Sequence, residues 1–318
     1  MDVCLMIEGQ EGVTWDQWLS LALACEEHGF EGLFRSDHYL SFDHAHERGA
    51  FDAWATMAAL ASITERIRLG TLVSPVGFRH PSDLAKSVVT VDHASDGRVE
   101  LGMGAGWFER EHRAFGFPFP SDAERMDVLT EQIEIVHRLW SEDQVNFEGR
   151  HYRLEACTSL PRPLQEPHPP LIVGGSAGPR SVALAARWAD EYNVVFVDPD
   201  TARTYRGRIE AACEAIGRDP NEVRFSVMTR LLIGADEDDL RRRAAELMER
   251  IDEDGDVDAF IEGMKPTMTA GTVEQVLERL REFTAVGAER VMFQHLVHDD
   301  LETVALIGRE ILPQAASL

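Results

Sequence analysis

Lysine is nearly missing from this chain of 318 residues: only Lys86 and Lys265 occur, so arginine supplies almost all of the 31 basic side chains. We read that scarcity as a coding bias of the source. Positive charge is short overall, because 56 acidic residues leave a formal net charge of −25. A surface of that sign repels nucleic acid and anionic membranes, and neither is expected as a partner. Cysteine is sparse too. Cys4, Cys25, Cys157 and Cys213 show no CxxC spacing and sit in apolar runs. They are expected to be small buried hydrophobes in a reducing compartment, which argues against a disulfide framework or a zinc cluster. The longest apolar runs are far too short to cross a bilayer. Met1 is followed at once by Asp2 and a strand-like run, with no basic segment of the kind that opens a secretory signal, so a cytoplasmic protein is expected.

What is present is organised around the stretch from Ile67 to Trp107. Ile67, Leu69, Thr71 and Val73 alternate with their neighbours at period two, as do Val99 and Leu101, and Pro75 is expected to stop the first of these ladders. Between them Pro81 opens a helical segment carrying Leu84, Val88 and Val91 at three- and four-residue spacing. The result is a strand, a crossover helix and a parallel strand. Similar units recur along the chain. Strands are predicted at Val3–Ile7, Phe30–Phe34, Leu171–Val173, Tyr192–Val197, Val223–Ile233 and Arg290–His295, with helices between them. These include one capped by Thr14 and closed at Gly29, one from Phe51 to Thr64, and one capped by Asp122 that runs through Trp140. Gln144 to Leu154 reads as an inserted β-hairpin, and Met264 to Ala270 as a loop. With 44% apolar residues and about eight strand–helix units, the chain is expected to form one domain over residues 1–318, a (β/α)8 barrel.

Ligands of such barrels bind at the carboxyl ends of the strands. Three features fall there. Asp37 and His38 follow the second strand, where a histidine can exchange a proton near neutral pH and a carboxylate can orient it or a ligand. Gly102, Gly104 and Gly106 end the fourth strand; they either admit a flat ligand or another backbone, or only make a tight turn. Gly174 to Ser181 is a glycine-rich turn opening a helix, with Pro179 in its first turn. Its backbone N–H groups and Arg180 suit an anion such as phosphate, although no Gly-Lys-Ser/Thr or GxGxxG pattern is present. His38, Asp43, His44 and His46 lack the second spaced set of ligands that a metal site needs, so no metal is expected. Glu109, Glu111, His112 and Arg113 are expected to face solvent.

Taken in order, Ser36-Asp37-His38, Leu69-Gly-Thr-Leu-Val-Ser-Pro75, Leu101-Gly-Met-Gly-Ala-Gly-Trp107 and Val173-Gly-Gly-Ser-Ala-Gly-Pro-Arg-Ser181 resemble the bacterial-luciferase-like flavin and deazaflavin oxidoreductases. The resemblance covers nearly the whole chain. It implies a barrel that binds coenzyme F420 or FMN at its rim, commonly as a homodimer. Asp-His after the second strand is similar to the F420-using branch, in which hydride passes between the deazaflavin and a small organic substrate. On this resemblance Asp37 contacts the deazaflavin and His38 handles the proton. Thr71, Leu72 and Val73 back the central ring, with a non-prolyl cis peptide at Leu72–Val73. Gly104, Ala105, Gly106 and Trp107 line the opposite wall. Gly174, Gly175, Ser176, Ala177, Gly178, Arg180 and Ser181 hold the phosphate end. The alternative is an FMN-dependent monooxygenase using reduced flavin and oxygen. Sugar-phosphate-oxidising members carry a glutamate where this chain has Trp107, and lysines that are not evident here, so a more apolar substrate is expected.

Overall fold

The computed structural model describes residues 1–42 and 48–318. Eight barrel strands follow in chain order: β1 (Asp2–Ile7), β2 (Gly32–Arg35), β3 (Arg68–Thr71), β4 (Val99–Gly104), β5 (Leu171–Gly174), β6 (Glu191–Val195), β7 (Arg224–Gly234) and β8 (Arg290–Gln294). Each pairs in parallel with the next. β8 returns to β1, with Met292 opposite Cys4 and Gln294 opposite Met6, which closes the sheet into the expected (β/α)8 barrel.

Local chemistry sets the helices outside it. Thr14 Oγ1 accepts from Gln17 N while Gln17 Oε1 accepts from Thr14 N, a reciprocal cap that starts helix Trp15–His28. That helix stops at Gly29, whose φ of 86° costs glycine little. Pro81 takes the first turn of helix Pro81–Ala94, where its missing N–H is no loss.

The barrel interior is layered, because every second residue of a strand points inward. At the amino-terminal end Arg290 reaches Glu100 Oε2 at 2.7 Å and Glu191 Oε2 at 3.0 Å. Above this buried ion cluster lies an apolar layer that includes Cys4, Met6, Phe34, Ile172, Met228 and Met292. Two residues further along their strands, Glu8, Ser36, Gly174, Arg230 and Gln294 reach the mouth.

Several expectations need correction. Thr269 and Ala270, expected as the end of a loop, open a short strand, Thr269–Thr272, beside the far half of β7, with Leu231 opposite Thr269. The helix expected from Phe51 to Thr64 is only Ala53–Ala61, because Asp52 Oδ1 caps Ala55 N. Ser121, not Asp122, caps helix Asp122–Ser141. Pro75 does not end pairing after β3: Ser74 and Pro75 lie opposite Met103 and Gly104. A proline can do so where only its carbonyl is needed. The hairpin is present as Val145–Glu148 against Arg153–Cys157. Among the described residues the cysteines are free, and no helix is long and apolar enough to cross a membrane.

Candidate active site

At the carboxyl ends of the strands lies a cavity of about 770 Å³, a size that suits an organic cofactor or substrate. Leu72 and Val73, joined by a cis peptide, enter it from β3. Val73 explains two of the strand-end glycines. A Cβ on Gly104 would lie 2.6 Å from Val73 Cγ2, and one on Gly174 would lie 3.0 Å from Val73 Cγ1. The close approach that glycine permits here is made by the protein's own valine.

His38 lines the cavity, and its ring is fixed from behind. Its Nδ1 lies 2.8 Å from Glu111 Oε2, and Glu111 Oε1 accepts from Leu40 N at 2.9 Å and from Tyr39 N. Glu111 is fully buried on helix Glu109–Phe115, and His112 beside it is 1% exposed, so neither faces solvent as expected. The carboxylate can only accept, which puts a proton on Nδ1 and leaves Nε2 for a ligand. Burial works against the charged imidazole. The Glu111 hydrogen bond and charge, aided by Glu8 and Asp37, outweigh it and hold His38 above its ordinary value. Three aromatic rings stand around the imidazole: Phe42 at 5.1 Å, Trp107 at 6.0 Å and Phe108 at 6.1 Å. Trp107 is 64% exposed and forms an open wall of the cavity.

Asp37 sits behind this lining rather than in it. Its Oδ2 accepts from Ser74 Oγ at 2.6 Å and pairs with Arg79, while its Oδ1 is buried without a partner among the described residues. Thr71 and Ala177 also lie behind the surface: Thr71 Oγ1 donates to Gly102 O at 3.2 Å, and Ala177 N donates to Tyr192 Oη at 2.9 Å. Ala105, Gly106, Gly175, Ser176, Gly178, Arg180 and Ser181 line the cavity. Asp43, His44 and His46 fall outside the described residues, and among those described no group of metal-ligating side chains forms.

The Gly174–Ser181 turn leads into helix Pro179–Trp188, whose N-cap is Gly178 with no side chain to accept from the first turn. The orphan N–H groups there, at the positive end of a ten-residue helix, are open to an anion. Arg180 is less available than its position suggests, since it pairs with Asp127 Oδ1 at 2.5 Å and donates to Ala123 O at 2.8 Å.

Sequence reading missed the polar belt on the other side of the mouth. Arg230 Nε donates to Gln294 Oε1 at 3.0 Å, Gln294 Nε2 to Glu8 Oε1 at 2.7 Å, and Gln10 Nε2 to Glu8 Oε2 at 2.9 Å. Ser36 Oγ donates to Gln10 Oε1 at 2.5 Å. The available signal was positional: Glu8, Arg230 and Gln294 each stand two residues beyond an inward methionine at a strand end. Asn193 was missed as well; it lines the cavity with its Oδ1 buried and unpartnered among the described residues.

Comparison with known proteins places this arrangement. The F420-dependent glucose-6-phosphate dehydrogenase of Nakamurella multipartita is 29% identical over 94% of this chain and 92% of its own. The FMNH2-dependent dimethylsulfone monooxygenase of Pseudomonas putida is 25% identical over 97% of this chain and 91% of its own. The structure of the coenzyme F420-dependent tetrahydromethanopterin reductase of Methanopyrus kandleri superposes with a TM-score of 0.81 at 21% identity, covering 98% of both chains. The family model described as luciferase-like monooxygenase matches residues 3–290, from β1 through the start of β8. The chain therefore belongs to the luciferase-like monooxygenase family.

Proposed function

We propose that this protein is a coenzyme F420-dependent oxidoreductase that moves a hydride between the deazaflavin and a small organic substrate. The observation that carries the reading is the Glu111-held His38 at the edge of a largely apolar cavity whose far side ends in an uncapped helix. Relatives named for F420 use, at 24–29% identity, add support. The residues present fit such a cofactor. The Gly178–Ser181 helix start suits its phosphate, and Asn193 Oδ1 in the lining is a polar atom without a partner among the described residues. The Leu72–Val73 edge and the Gly104–Trp107 segment offer apolar walls for a planar ring. When bound, the deazaflavin supplies the hydride chemistry.

The chain's own contribution is orientation and proton handling. Glu111 keeps Nδ1 protonated and turns Nε2 toward the cavity, so His38 gives or takes the proton that accompanies a change in substrate oxidation state. Its raised pKa favours the donor form near neutrality. Trp107, Phe42 and Phe108 narrow water access around that ring. A phosphorylated sugar is not the substrate we propose, because Trp107 occupies the wall and the two lysines are engaged elsewhere, Lys86 on Leu160 O and Lys265 on Glu262. A cytoplasmic homodimer built from a single domain over residues 1–318 belongs to the same proposal, with light scattering as the check on the dimer.

Anaerobic turnover of F420 or its reduced form against a panel of alcohols, aldehydes, ketones and activated alkenes tests the reading. His38→Gln is expected to bind the cofactor and lose about a hundredfold or more in kcat; unchanged turnover would overturn the role of His38. The second reading, an FMN-dependent monooxygenase, is favoured by the Pseudomonas putida relative and predicts oxygen consumption with reduced FMN instead.

A further inference from the structure

Among the described residues, the cavity lining holds one arginine whose terminal nitrogens are unclaimed. Arg230 enters from β7, two residues past the inward Met228, with its Nε held by Gln294. Among the described residues its two terminal nitrogens have no hydrogen-bond or carboxylate partner. Arg180, the other arginine of the lining, is taken by Asp127.

The belt explains why Arg230 stays in place without an ion pair. Guanidinium can only donate and carboxylate can only accept, so the Gln294 amide has one possible orientation, its oxygen toward Arg230 and its nitrogen toward Glu8. Both oxygens of Glu8 are then occupied, by Gln294 and Gln10. Gln10 is tied to Ser36, and Ser36 Oγ accepts from Gly9 N at 3.0 Å. The relay therefore runs along four consecutive strands, β7, β8, β1 and β2, and ends two residues before His38. Burial presses the Arg230 guanidinium toward neutrality and Glu8 offsets it only from a distance. A partly buried guanidinium with a free two-nitrogen edge is complementary to one planar anion. Met6, Met228 and Phe196, which line the same cavity, are apolar, which suits a ligand with a single charged end.

We infer that Arg230 is the substrate-recognition residue of this site, binding the carboxylate of a small organic acid whose remaining body is apolar. The inference rests on the oxidoreductase reading above and names its substrate class. One carboxylate fits the planar fork; a phosphate dianion would need further cations, and the lining offers no other unpaired one among the described residues. The cofactor's phosphate has its own place, at the start of the helix after β5.

The test measures binding of benzoate, benzamide and phenyl phosphate by Trp107-dependent fluorescence quenching, on apoprotein and on F420-loaded protein, for wild type, Arg230→Met and Arg230→Lys. The wild type is expected to prefer benzoate over benzamide by at least about tenfold. Arg230→Met should erase that preference, and Arg230→Lys should retain part of it, with F420 affinity unchanged within about threefold in all three proteins. No preference for benzoate, a preference that survives in Arg230→Met, tighter binding of phenyl phosphate, or a large loss of F420 affinity in Arg230→Met would each overturn the inference. Failure of F420 to bind even the wild type would instead sink the deazaflavin reading. The apoprotein comparison would then still decide the role of Arg230.

Discussion

His38 Nδ1 and Glu111 Oε2 lie 2.8 Å apart although 73 residues separate them in the chain. One comes from the end of β2 and the other from the helix after β4, and the barrel's closure brings them together. Glu111 also receives the backbone N–H groups of Tyr39 and Leu40, so one carboxylate shapes the turn and orients the ring.

Replacing Glu111 with glutamine keeps the shape but removes the charge. The His38 pKa should fall toward or below its ordinary value in Glu111→Gln, because burial then acts against a weaker opposing interaction. In the wild type the raised pKa stabilises the fold fully below about pH 6.5, and that contribution fades as pH rises through the folded-state value. Glu111→Ala, which also strands two N–H groups, should cost about 1–3 kcal/mol in urea unfolding. NMR titration of the His38 ring checks the lowered pKa, and the urea midpoints separate the two variants.

A different pair of histidines acts in the opposite sense. Burial, with His295, Arg250 and Arg48 nearby, pushes His298 down to about 3, and His295 is lowered too, mainly by burial. Both are neutral when folded but gain protons on unfolding below about pH 6.5. Stability should therefore drop as pH falls below that value, and His298→Gln should flatten the slope by about one proton's worth between pH 6 and pH 4. Urea midpoints across that range give the slopes directly.

The contact between Val73 and Gly104 should behave as a coupled unit. Gly104→Ala is expected to destabilise by about 1–3 kcal/mol, since its Cβ would meet Val73 Cγ2 at 2.6 Å. Adding Val73→Ala should recover most of that loss, and a double-mutant cycle on thermal unfolding measures the coupling.

Gly178 offers a test of the anion site that separates binding from folding. A Cβ there meets nothing within 4 Å, and φ is −69°, so substitution brings no strain. Gly178→Asp should leave stability unchanged or raise it by a few tenths of a kcal/mol by capping the helix. The same carboxylate should weaken cofactor binding by about tenfold or more through repulsion. Equal affinity in the two proteins would move the phosphate elsewhere.

The barrel was legible because period-two strands, helix caps and strand-end glycines are local signals, and local signals survive in the sequence. Thr14 with Gln17 and Gly29 shows this directly. The short strand at Thr269–Thr272 was hidden, since Thr-Ala-Gly-Thr carries no apolar alternation and pairs only because β7 runs past the barrel rim. At the site, Leu72–Val73, His38 and the Gly174–Ser181 turn were visible as motifs. Glu111 was not, because a buried carboxylate and a solvent-facing one look alike until the partner 73 residues away is placed. Arg180 shows the reverse, an expected ligand whose nearest claim is Asp127.

The central claim is that this mouth takes a deazaflavin. A paired titration of apoprotein with coenzyme F420 and with FMN, followed by cofactor fluorescence and tryptophan quenching, tests it most directly. Tight binding of F420 with weak binding of FMN is the predicted result. Tight FMN binding with no measurable affinity for F420 would contradict it and assign the site to oxygen chemistry with reduced flavin.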